Sequence, residues 1–272
     1  MADNIFDEVV EVPRRTMVLF FMVDTSYSMA GAKIGTVNSA IEEMVPELRE
    51  ISESNADAQI KVATLTFSTG AQWMTNAPVE AENFRWNYLD ASGVTDLGEA
   101  CLQLNEKMSR NAYMNEVAGS YAPVIFLLTD GEPTDNYKYG LDKLKQNNWF
   151  KKAIKVAIAI GEDANQEVLA EFTGNMEAVI RVHTPGELKK WIRFIGIRSS
   201  EIGSKSTSVA VDVEKFENGG EDAGIESKQD QFIEELKEER KEEEREAARE
   251  TSEDSLGVDY DPQAFDDDEV IW

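Results

Sequence analysis

The sequence predicts an α/β fold. It should be a doubly wound, mostly parallel sheet with helices on both faces and one antiparallel edge strand. An acidic C-terminal extension should follow, first helical and then disordered. Three observations predict this. Residues 17–23 and 123–128 are continuous apolar runs, and 154–160 is apolar except for Lys155, as expected of strands buried on both faces of a parallel sheet. Segments of helical period alternate with them. Past about residue 200 the chain changes character, because residues 201–272 hold 25 acids and 8 bases out of a total net charge of −26.

Taken in order, residues 1–13 form a polar lead-in that ends at Pro13. The first strand ends at Val23, and Ile34, Val37, Ile41, Met44, Val45, Leu48 and Ile51 then fall at helical spacing to about Glu53. Pro46 lies inside that helix and removes a backbone donor, so a kink is expected there. Residues 60–67 and 71–75 read as two strands joined by Ser68-Thr69-Gly70, too short a connection for a parallel crossover and therefore a hairpin. Residues 76–96 are irregular and lead into a helix over 97–109, with Leu97, Ala100, Cys101 and Leu104 inward. After the strand at 123–128 comes a loosely periodic helix reaching Trp149. The strand at 154–160 is stopped by Gly161, and a short helix (166–172), a strand (178–182) and a closing helix (185–197) complete a Rossmann-like domain over residues 14–200.

Residues 201–225 are a linker in which Val209, Val211 and Val213 could form one more strand. Ser227 with Asp230 makes a capping-box-like start to a charged helix over 226–251. Its acids and bases recur three apart, each pair worth a few tenths of a kcal/mol, and Phe232, Ile233 and Leu236 form a small apolar patch at one end. The acidic tail, 252–272, carries Phe265 and ends in Val270-Ile271-Trp272.

Composition excludes several functions. An acidic surface repels phosphate backbones, so neither nucleic acid nor an anionic membrane is an expected partner. Cys101 is the only cysteine and His183 the only histidine. No nucleophile motif accompanies His183, which reads as a strand-end residue rather than part of a Ser-His-Asp centre. The start of the chain lacks a signal-peptide pattern, and the longest apolar run is far short of the roughly 20 residues needed to span a bilayer. A soluble, cytoplasmic protein is expected.

Three strand-to-helix loops carry the chemistry: Asp24-Thr25-Ser26-Tyr27-Ser28, Gly93-Val94-Thr95-Asp96 and Thr129-Asp130-Gly131. In an open α/β sheet, ligands bind at the carboxyl ends of strands beside a topological switch point. Two carboxylates and three hydroxyls gathered there would suit a hard divalent cation, which takes oxygen ligands. Taken singly, Ser26, Ser28 and Thr95 would read as helix caps. Asp96, Glu99 and Asp135 read as acids favoured at helix starts.

In these residues the chain resembles the von Willebrand factor A (VWA) domain family over about residues 14–198. The family's metal-ion-dependent adhesion site is matched by Asp24, Ser26 and Ser28 (its D-x-S-x-S pattern), then Thr95, then Asp130. The resemblance implies that these five hold a metal ion, Mg²⁺ first with Mn²⁺ or Ca²⁺ as alternatives. It implies a protein-interaction module rather than an enzyme, in which a partner's Asp or Glu completes the ion's shell. Tyr27, Glu132 and Asp135 would select the partner. The string Leu-Leu-Thr-Asp-Gly-Glu-Pro-Thr-Asp looks most like a bacterial TerY-like subgroup linked with tellurium resistance and stress, whose relatives are associated with a protein kinase and a phosphatase. That implies an adaptor or regulatory subunit of a stress, signalling or defence complex.

The sequence leaves two alternatives open. One is a scaffold with a vestigial metal site, working through its tail, whose Phe265, Ile271 and Trp272 dock another protein or a neighbouring copy. The other is an Mg²⁺-dependent phosphatase using Asp24 as nucleophile. Against the second, the second Asp of the common aspartyl-phosphate pattern is replaced by Ser26, and no phosphate-cradling glycine motif is present.

Overall fold

The computed structural model describes residues 14–56, 58–116, 119–162, 164–204 and 227–256. Residues 1–13, the Val209–Val213 strand and the tail positions Phe265, Ile271 and Trp272 lie outside them. The chain divides into two units, 1–233 and 234–272. The described part of the second is helical.

Strand β1 (Arg15–Asp24) is the centre of the first unit, with nine of its ten residues buried. It pairs in parallel with β2 (Ala58–Ser68) on one side and β5 (Val124–Thr129) on the other. Beyond β5 lie β6 (Ile154–Ile160) and β7 (Val179–Val182), also parallel. On the other edge, β3 (Gly70–Trp73) and the two-residue β4 (Val79–Glu80) both pair antiparallel with β2. The order β3-β2-β1-β5-β6-β7 places the switch point between β1 and β5. The carboxyl ends of those two strands are Asp24 and Thr129.

Alternation along β1 divides its side chains between two layers. Val18, Phe20 and Met22 join one core cluster with Leu97, Leu104, Leu141 and Phe172. These come from α2 (Leu97–Lys107), α3 (Tyr137–Lys145) and α5 (Gln166–Thr173). On the other face α1 (Ala32–Ser54) packs with α6 (Pro185–Ser204), and α1 runs as one element through Pro46. No helix among the described residues is long and apolar enough to cross a membrane.

The single helix expected after β5 is two, α3 and α4 (Asn148–Lys152). Asn147 divides them: its side chain accepts from Trp149 N at 2.8 Å and Phe150 N at 3.4 Å, capping a new helix. Ser227 caps α7 (Lys228–Leu256), accepting from Asp230 N at 3.1 Å. In the first turn of α7 the Gln229 side chain accepts from Lys155 N (2.7 Å) and donates to Lys155 O (3.0 Å). Strand β7 pairs with β6 only from Ala157 onward, so this amide satisfies backbone that the sheet leaves open. Phe232 lies 6.3 Å, ring to ring, from Phe194.

The Lys155 side chain is buried and donates to the carbonyls of Ala153 (2.8 Å) and Phe150 (3.2 Å). Burial pushes its pKa down from 10.5 to about 8, offset in part by Asp230. The folded state therefore holds this proton less tightly than the unfolded chain. The resulting cost is full below about pH 8 and disappears as pH rises past 10.5. Lys155→Met is expected to stabilise the protein by roughly 1–3 kcal/mol at pH 7. Urea unfolding at pH 7 and pH 10 should show the advantage shrinking at the higher pH.

Candidate metal centre

Asp24 closes β1 and is fully buried. Its Oδ1 accepts from Ser26 N at 2.8 Å, and its Oδ2 accepts the hydroxyl proton of Thr129, the last residue of β5. The Thr129 hydroxyl in turn accepts from Gly131 N at 3.2 Å. Burial pushes the Asp24 carboxyl up from its ordinary range, and the negative charge of Asp130 adds to this. The bonds from Thr129 and Ser26 pull the other way.

Ser26 Oγ and Ser28 Oγ stand 3.0 Å apart, and Ser28 Oγ donates to Asp130 Oδ1 at 2.7 Å. The other Asp130 oxygen carries the ammonium of Lys33, from the first turn of α1. Thr95 precedes α2, with its loop held to the Asp130 loop by two bonds: Thr95 N donates to Thr134 Oγ1 (3.0 Å) and Thr134 N to Thr95 O (2.8 Å). Tyr27 N donates to Gly93 O at 3.1 Å and Thr25 N to Phe67 O at 2.8 Å, tying the first loop to the second and to β2.

Gly131 shows how closely the oxygens converge. A Cβ built there would lie 3.3 Å from Ser28 Oγ, 3.6 Å from Thr95 Oγ1 and 3.7 Å from Asp24 Oδ2. One atom-sized point on the loop after β5 thus faces two oxygens from the end of β1 and its loop, and one from the loop before α2. All five residues matched in the sequence are gathered here. Among the described residues, no three His, Cys, Asp or Glu side chains form a metal-holding group. The donor set is instead rich in hydroxyls, which fits a hard cation better than a soft one.

An open cleft of about 400 Å³ lies over this point, with Tyr27, Glu132 and Val94 on its walls. Tyr27 is 75% exposed and Val94 45%. Glu132 accepts from Asn165 Nδ2 at 3.0 Å. Asp135 is placed elsewhere: its two oxygens accept from Gly98 N (3.1 Å) and Glu99 N (3.0 Å), capping α2. Asp96 accepts from Gly70 N at 2.7 Å and so holds the β2–β3 turn. His183 stands at the end of β7 beside Glu162.

Sequence reasoning missed Lys33, Thr129, Gly131 and Val94 as site residues. Lys33 had a signal, since a lone base in the first turn of a helix opposes the helix dipole. Gly131 and Thr129 flank Asp130 in the quoted string, but nothing in the spacing distinguishes their roles.

A family model for the von Willebrand factor type A domain matches residues 19–193. The chain belongs to the von Willebrand factor type A domain family. VWA domains are commonly metal-dependent protein-interaction modules, generally without enzymatic activity. Among solved structures, the chain is similar to a von Willebrand factor type A protein from Catenulispora acidiphila, at 17% identity and a TM-score of 0.51, over 68% of this chain and 43% of that one. It is likewise similar to proximal thread matrix protein 1 of the mussel byssus, solved with a zinc-occupied MIDAS motif, at 14% identity and a TM-score of 0.51, over 68% of this chain and 48% of that one. The pilus adhesin SpaC of Lactobacillus rhamnosus GG aligns at 12% identity with a TM-score of 0.51, over 68% of this chain and 30% of that one. This chain therefore spans less than half the length of each. No curated protein matches it.

Proposed function

We propose that the cleft is a metal-ion-dependent adhesion site, and that the VWA domain uses it to capture a carboxylate of a partner protein. The observation that carries this reading is the convergence of Ser28, Thr95 and Asp24 oxygens on the point beside Gly131. Ser26, Ser28 and Thr95 would supply neutral hydroxyls, and Asp24 and Asp130 the two carboxylates. Mg²⁺ suits such a set best, because it needs few direct carboxylates and retains waters. A bound divalent cation supplies a Lewis-acidic position that an Asp or Glu of the partner can fill.

The chain's own part is to hold those oxygens in place before any ion arrives. Thr129 and Ser26 N fix Asp24, Ser28 fixes one oxygen of Asp130, and Thr134 fixes the Thr95 loop. Tyr27, Val94 and Glu132 line the cleft where a partner's neighbouring residues would rest, and so would set which partner fits. Asp135 is committed to α2 and would act only through it. The reading extends to a cytoplasmic adaptor of a bacterial stress or signalling complex, TerY-like and working with a kinase and a phosphatase. The motif string around Asp130 supports that step.

Selection from a displayed random-peptide library, in Mg²⁺ and in EDTA, tests the reading. Enriched peptides should share an Asp or Glu and release in EDTA. Peptides that bind equally well in EDTA, or that lack a carboxylate, would overturn it.

Gly131→Ala gives a narrower test of the cradle. The added methyl meets Ser28 Oγ closely and the other oxygens at ordinary contact, so the fold should lose no more than about 1 kcal/mol. The rise in melting temperature on adding Mg²⁺ should shrink by at least half. Differential scanning fluorimetry in EDTA and in Mg²⁺ reads both effects.

A further inference from the structure

We propose that Lys33 is a built-in counter-charge of the cation site, weakening its hold on a divalent ion while leaving the loaded site net positive and so receptive to an anion. The inference rests on the cation-holding reading above. Lys33 makes an ion pair with Asp130, whose side chain is fully buried while that of Lys33 is 29% exposed. Its stem is also seated: a Cβ on Gly161, just past β6, would lie 3.2 Å from Lys33 Cε. The first turn of α1 carries no acid, and Gly31 offers no side-chain cap. A cation there is disfavoured by the helix dipole, so the position is explained by Asp130 and not by the helix.

The charge balance gives the consequence. Two buried carboxylates, Asp24 and Asp130, and one ammonium leave the metal-free centre with a single net negative charge. A divalent ion brings it to a single positive charge, and without Lys33 the loaded centre would be neutral. Charges this close, with both carboxylates buried and the ammonium partly so, interact more strongly than in bulk water. Salt screens partly buried pairs only weakly. Lys33 thus opposes the incoming cation and attracts the ligand that completes it, so its removal should move the two affinities in opposite directions. A residue that merely supported the fold would lower both.

The test is Mn²⁺ binding to the full chain at one fixed ionic strength, with free Mn²⁺ read by electron paramagnetic resonance. Lys33→Gln should bind Mn²⁺ about tenfold more tightly than wild type, whereas Lys33→Arg, which keeps the charge, should stay within about threefold. On the Mn²⁺-saturated proteins, the acetate needed to displace metal-bound water, read by water-proton relaxation, should rise about tenfold in the Gln variant. Lys33→Met serves the same purpose if the Gln variant yields too little folded protein. Equal or weaker Mn²⁺ binding without the charge, or parallel shifts in the Gln and Arg variants, would overturn the proposal. Wild-type protein that binds no Mn²⁺ would instead remove the cation reading itself, and this proposal with it.

Discussion

Asp24→Asn should melt at a higher temperature than wild type in EDTA and at a lower one in millimolar Mg²⁺. Asp24 and Asp130 are both buried, and only Lys33 pairs with either of them among the ion pairs of the described residues. Because burial raises the Asp24 pKa, the folded state binds this proton more tightly than the unfolded chain does. The stability this contributes is full below pH 3.8 and is lost as pH rises through the folded-state value. In the metal-free protein an ionised Asp24 is therefore a buried charge that costs stability. Asparagine removes it, keeps an oxygen for Ser26 N and turns an amide toward Thr129, whose hydroxyl can accept. A gain of about 1–2 kcal/mol is expected without metal. Wild type should gain about 2.7 kcal/mol at an ion concentration one hundred times its Kd, and the variant nothing. The crossing of the two melting curves between EDTA and Mg²⁺ is the decisive feature.

Gly140→Ala should be the most destabilising single methyl added to the domain. A Cβ on Gly140 would stand 2.1 Å from the carbonyl oxygen of Gly98 and 2.7 Å from its carbonyl carbon. These are backbone atoms, with no flexible side chain to yield. Helices α2 and α3 cross through this glycine pair, and α2 follows directly on Thr95. The cost should reach about 3 kcal/mol or more, the upper end of overpacking effects. Whatever protein still folds should bind Mg²⁺ less well, because displacing α3 disturbs Asp135, the cap that positions the start of α2. Chemical unfolding together with a Mg²⁺ titration separates the two consequences. A loss below 1 kcal/mol would mean that the helices slide apart freely.

The buried strands were legible because a parallel strand covered on both faces is apolar nearly throughout, and residues 17–23 and 123–128 satisfy that fully and 154–160 in all but Lys155, without reference to the rest of the chain. The convergence of Asp24, Ser26, Ser28, Thr95 and Asp130 was legible for a related reason: each stands at a strand end or helix start, and the topology brings those ends together. What stayed hidden depends on pairs of residues far apart in sequence. Asp135 reads as an acid favoured at the start of its own helix, yet its partners are the amides of α2, which no local pattern reveals. Lys155 looks like the one polar position of a strand, and only Gln229 and the carbonyls around it show how the ammonium is buried. Gly98 and Gly140 sit inside helical periods where glycine is costly, a clue to close packing that does not identify the partner. The break at Asn147 was missed because a side chain able to cap a helix also fits within one.

Calorimetric titration of metal-stripped protein with Mg²⁺ and then Mn²⁺, beside Asp24→Asn, tests the cation centre most directly. The wild-type protein should take up one equivalent and the variant none. Uptake of neither ion by wild type, or equal uptake by the variant, would contradict the centre described here.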